Sequence, residues 1–190
     1  MTPKAPETHR PEPWLRGPIA GLNPLLAPLV YSFQQAREDL AEHTRALSPS
    51  QLYATPYGFG SVAFHLRHIA GSVERLMTYV MGGDLSAAQI AAISVEKESH
   101  GPTRDELLAA LDSAFSNAEA VLRGIDPATL AEPRGVGRKH LPATVIGLLT
   151  HIAEHTQRHV GQAIAAAKLA KAHSRLSRLD SLRHELSGQH

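Results

Sequence analysis

The sequence predicts an all-α chain, an antiparallel four-helix bundle with an additional C-terminal helix. Three observations carry that expectation. Ala and Leu dominate the apolar residues while aromatics make up only 5%, and straight-chain residues favour helices where β-branched and aromatic ones favour strands. Four long stretches space their apolar residues at helical intervals, and no stretch alternates convincingly as a strand would. At 190 residues with 43% hydrophobic content, the chain can bury one sizeable core, whereas two would be cramped.

The elements follow in order. Residues 1–17 are polar and Pro-rich, an N-terminal arm without a core of its own; residues 18–190 form one domain. A first helix is expected from about Leu22 to Leu47, carrying Leu26, Leu29, Val30, Phe33 and Leu40, with Pro24 and Pro28 suited to its first turns or a break there. The turn-rich YATPYGFGS leads to a second helix from about Ser61 to Met81, closed by Gly82 and Gly83. Residues 84–102 are mixed, with room for a short helix after Ser86. Thr103 followed by Glu106 is a capping box opening a third helix to about Gly124. DPATLAEPRGVGRKHLP reads as a loop. Thr144 can cap a fourth helix from about Val145 to Ala172, and a last amphipathic stretch, Ser174 to Leu186, places Leu176, Leu179, Leu182 and Leu186 at helical spacing.

Composition limits function. With 19 Lys plus Arg against 18 Asp plus Glu, and no basic block interleaved with aromatics, a nucleic-acid partner is not expected. There is no cysteine, which excludes disulfides, thiolate zinc sites and a cysteine nucleophile. The start, MTPKAPETHRPEPW, lacks the apolar core of a signal peptide, and no apolar run approaches the roughly 20 residues of a membrane span. A cytoplasmic protein is the expectation.

Histidine is the outlier, with 12 copies. HIAEHTQRHVGQ puts His151, His155 and His159 at successive i, i+4 steps on the fourth helix. At about 100° per residue, His159 lies about 20° from Ile152 on the apolar stripe, His155 about 60° and His151 about 100°. His155 and His159 therefore continue the inward face, one turn apart, as a two-imidazole chelate requires. Burying such a pair without a partner costs a few kcal/mol. The second helix offers His65 and His68 in VAFHLRHIAGS. Angular placement favours His65, about 60° from its stripe, over His68 at about 120°.

Two other metal motifs fail. HIAEH matches the H-x-x-E-H of inverted zinc proteases, but Glu154 lies about 160° from the stripe, and a general base must face the metal. A di-iron site needs Glu-x-x-His pairs, and the chain has none.

LRHIA on the second helix and HxxxHVGQ at 155–162 together resemble the DinB superfamily of bacterial helical metalloproteins, over residues 20–175. The resemblance implies a four-helix bundle, often dimeric, binding zinc or nickel through one histidine of the second helix and the HxxxH of a later one. By motif position those ligands are His68, His155 and His159, with His65 and His151 as neighbouring or pocket groups. Val160 stands where the family often has Arg. Three neutral histidines leave a fourth position open, as in catalytic zinc. Some relatives use small bacterial thiols as S-transferases, so the resemblance implies a small-molecule substrate, such as a low-molecular-weight thiol, and a metal-dependent transferase or hydrolase. The alternative is a non-catalytic metal-binding bundle.

Overall fold

The computed structural model describes residues 10–187, with side chains to residue 179. Six helices and one hairpin follow in order: α1 Ala27–Thr44, α2 Pro49–Tyr53, α3 Val62–Val80, α4 Ala87–Val95, α5 Arg104–Gly124, β1 Pro133–Val136, β2 Leu141–Thr144 and α6 Val145–Ser187. Side-chain caps set several starts. Ser48, Ser86 and Thr103 each close a capping box, with Gln51, Gln89 and Glu106, and the Thr144 hydroxyl accepts from Gly147 N–H at the head of α6.

The long helices α1, α3, α5 and α6 make the bundle. Each contributes a buried stripe: Leu29, Phe33 and Leu40; Leu66, Ile69 and Val73; Leu111, Phe115 and Leu122; Leu149, Ile152 and Ala163. Phe33 and Phe115 stack at 4.3 Å. Cross-helix bonds give the directions. Arg37 reaches Asp112 and Glu119 while Arg104 reaches Thr44, so α1 and α5 are antiparallel. His68 faces His155 and His65 faces His159, so α3 and α6 are antiparallel too. Ser32 meets Gln157 and Lys171 meets His43, so α1 and α6 run parallel, and α3 is therefore parallel to its neighbour α5.

That parallel pair has a consequence for the connection between them. The chain leaves the end of α3 and must return along its whole length, about 28 Å for 19 residues, before α5 can start. Residues 81–103 make this return. Gln89 bonds Thr78, and then Arg67 donates to the carbonyls of Val95, Glu98 and His100. None of the α4 side chains is buried.

Three expectations are corrected. The first helix starts at Ala27, not Leu22, because Pro24 and Pro28 lack amide donors and Asn23 caps a turn at Leu25 instead. The 126–142 loop contains an antiparallel hairpin pairing Pro133 with Thr144 and Val136 with Leu141. Its strands hold too few β-formers to be read from sequence, and Arg134 pins it to the carbonyl of Val80. The fourth helix and the last amphipathic stretch are one helix, since no Gly or Pro interrupts residues 162–187. Of the N-terminal arm, residues 1–9 lie outside the described part; Arg16 ties the remainder to Glu38 of α1.

Candidate metal centre

The site lies in the groove between α3 and α6, where antiparallel packing sets HLRH of one helix against HxxxH of the other. One ring nitrogen from each of His68, His155 and His159 lies within 4.8 Å of the other two, close enough for the three to hold one ion, and each residue is half-buried. His68 Nε2 and His155 Nε2 are 3.4 Å apart. A proton on one of them or a cation between them is needed to hold two lone pairs so close. The spacing suits a metal: two imidazoles at about 2.1 Å from a tetrahedral zinc stand about 3.4 Å apart.

The outer nitrogens are occupied. His68 Nδ1–H donates to Glu96 Oε2 at 2.7 Å, since a carboxylate only accepts. That leaves Nε2 as its lone-pair nitrogen. His159 Nδ1 lies 3.0 Å from His65 Nδ1, so Nε2 is its remaining nitrogen. Ser72 Oγ is 3.4 Å from His68 Nε2, and the Phe64 ring stacks on His68 at 5.4 Å, walling one side.

Burial disfavours the charged form of three of the four rings, His65, His155 and His159. Burial, then the neighbouring His68, lowers the His65 pKa to about 4. His159 is pushed to about 4 by burial, then by His68, His155, His65 and Arg158. His155 is lowered too, by burial and then by His68, His151 and Arg158. Near neutral pH these imidazoles carry free lone pairs, the form that binds a metal. For Glu96, burial acts upward, but the hydrogen bond from His68 and the Arg75 guanidinium outweigh it and hold the carboxyl below its ordinary range.

The expected residues separate into two groups. His68, His155 and His159 meet. His65 is buried, yet stands behind His159 instead of joining the three. His151 is turned outward and pairs with Glu154, which also holds Arg158, so Glu154 is engaged away from the cluster. Arg67 and Tyr53 are committed to the return segment.

Sequence reasoning missed Glu96, Ser72, Arg75 and Phe64. Phe64 and Ser72 sit at i−4 and i+4 from His68, a helical spacing that could have flagged them. Glu96 carried no local signal, because only the return of the chain along α3 brings it there. Glu96 is 6% exposed, and its Oε1 sits 2.8 Å from Arg75 Nη2. Gly71 leaves room for this pair, as a Cβ there would lie 2.9 Å from Glu96 Oε1.

No curated protein matches this chain in sequence. The family model described as the DinB superfamily matches residues 32–163, a span that includes every histidine of the cluster. Among solved structures, YfiT from Bacillus subtilis superposes with a TM-score of 0.61 at 16% identity, over 80% of this chain and 91% of that one. YfiT is described as a probable metal-dependent hydrolase with an unusual four-helix bundle topology. At that identity the likeness is one of fold.

Proposed function

The chain belongs to the DinB superfamily, and from that premise we propose that it is a metal-dependent enzyme acting on a small molecule, as a hydrolase or as a transferase of the small-thiol type. His68, His155 and His159 are the ligands of the ion in this reading, and zinc or nickel is the ion, both of which imidazole suits. The observation that carries it is the convergence of three half-exposed imidazoles from two helices, with no fourth His, Cys, Asp or Glu in the cluster among the described residues. Three protein ligands and an open side are the pattern of a catalytic site, whereas structural sites are closed by four. A bound ion supplies Lewis acidity there, lowering the pKa of a water or holding a thiolate. The chain's own residues do the rest. Glu96 and His65 hold the rings of His68 and His159, Ser72 offers a hydroxyl beside His68, and Phe64 shields one flank from water.

The hydrolase arm draws support from the description of YfiT; the thiol arm comes from the family resemblance alone. A cytoplasmic homodimer completes the proposal, supported by the exposed Leu176 and Leu179 on α6. Untagged protein is analysed for metal, then loaded and stripped samples are compared for ester and amide hydrolysis and for conjugation of low-molecular-weight thiols. Activity that appears only in the loaded sample supports the reading. Stoichiometric metal with neither activity across a broad substrate panel would leave the non-catalytic bundle, and no metal at all would leave packed histidines only.

A further inference from the structure

The return segment between α3 and α5 is held unusually firmly for an exposed connection. Arg67 alone donates to three of its carbonyls, and bonds the Tyr53 hydroxyl. Tyr53 in turn donates to the carbonyl of Pro102. Within this segment, otherwise mostly exposed, one carboxylate is driven inward. Glu96 is buried, and both its oxygens face α3: Oε2 accepts from His68 Nδ1–H at 2.7 Å, and Oε1 lies 2.8 Å from Arg75 Nη2 without an aligned hydrogen bond. Arg67, Gly71 and Arg75 succeed each other at i, i+4 and i+8 and form the strip on which the segment lies. Burying a carboxylate costs several kcal/mol unless it is paired and hydrogen-bonded. The arrangement therefore demands an account, and packing supplies none, since α4 itself buries nothing.

The geometry points to Glu96 as the positioning residue of the metal centre: its carboxylate fixes His68 in the Nδ1–H tautomer and aims Nε2 at His155 and His159. This rests on the reading of those three residues as ligands. Each of two ligands then has a partner on its outer nitrogen, but the partners differ in kind. His65 is a neutral imidazole on the neighbouring turn of the same helix as His68. Glu96 is an anion delivered by a distant part of the chain. A carboxylate behind an imidazole raises its strength as a donor and locks its ring, and losing such a partner typically weakens metal binding about 10- to 100-fold. Residues 81–103 thus connect two parallel helices and also complete the site.

The test measures zinc affinity of the full chain by competition with a chromophoric chelator at one neutral pH, for wild type, Glu96→Gln and Glu96→Ala. It is paired with long-range proton–nitrogen spectra of protein carrying labelled histidine. Wild type is expected to show His68 metallated at Nε2, with a strongly deshielded Nδ1 proton. Both variants are expected to bind zinc about 10- to 100-fold more weakly at unchanged helical content, and in Glu96→Gln the deshielded proton moves upfield. Wild-type affinity in both variants overturns the inference while leaving the three ligands in place. Should the variants fail to fold, the wild-type spectrum decides alone: zinc on Nδ1 of His68 overturns it and zinc on Nε2 supports it. A wild type that takes up no zinc sinks the metal-centre reading itself, and this inference with it.

Discussion

Each histidine in the α3–α6 groove has two ring nitrogens, and the role of the residue follows from what the outer one touches. His68 spends Nδ1 on Glu96 and His159 spends it on His65, which commits both Nε2 atoms inward. His151 spends Nδ1 on Glu154, at the surface. We therefore expect His68→Ala, His155→Ala and His159→Ala each to abolish stoichiometric metal uptake, with His151→Ala close to wild type, all measured after dialysis against a chelator. Equal loss in all four variants would falsify the assignment. The same neutral rings make the metal-free protein acid-sensitive. His65 and His159 titrate at about 4 in the fold but near 6.5 in an unfolded chain. Between those values the unfolded state binds more protons, so stability rises with pH. It is full above about 6.5 and declines as the pH drops toward 4. Urea midpoints of metal-free protein should therefore fall steadily from pH 7 to pH 4.5. A flat profile over that window would contradict the burial of these two rings.

At the level of elements, α5 is the helix whose start was most legible. Thr103 accepts from Glu106 N–H, and the Glu106 carboxylate returns to the Thr103 amide, satisfying two of the donors that a helix start leaves free. Thr103→Ala should lower unfolding stability by about 1 kcal/mol. An unchanged denaturation midpoint would mean that the box contributes nothing. By contrast Phe115, wholly buried and stacked on Phe33, should cost about 3–5 kcal/mol on truncation to Ala, enough to unfold a marginal chain. That result is read from the loss of a cooperative thermal transition. α4 lies at the other extreme. Its sequence, AAQIAAISV, is mostly apolar, yet Ile90, Ile93 and Val95 are exposed on the outside of α3.

For the whole molecule, α6 sets the dimensions. Its 43 residues span about 64 Å, more than twice the length of α3, and its last buried residue among those described is Ala170. Beyond that point Leu176 and Leu179 are exposed; Leu182 and Leu186, which continue the stripe in sequence, lie outside the residues whose side chains are described. A pair of such helices from two copies would cover these leucines. Static light scattering at micromolar concentration should accordingly return about 40 kDa, twice the 20.5 kDa of one chain. A value for one chain rejects the dimer. Among the described residues no helix is long and apolar enough to cross a membrane.

The sequence by itself determined the long helices and half of the histidine cluster. Local rules suffice where a signal is local: the capping box at Thr103 names a helix start, and the i, i+4 spacing of His155 and His159 puts two imidazoles on one face whatever packs against it. The wheel was of less use for α3. His65 lies nearer the apolar stripe and is indeed more buried than His68, but burial and membership of the cluster differ, because His65 meets α6 at the outer nitrogen of His159 while His68 lies against His155. Motif order nominated His68, and the geometry brings that residue into the cluster. Only tertiary structure decided the rest. The hairpin at 133–144 depends on pairing partners and on Arg134 reaching Val80, not on strand propensity. The parallel course of α3 and α5 is a property of the whole bundle, and it alone carries the chain back past His68. Glu96 reaches that ring from 28 residues away in sequence, a distance over which no periodicity persists.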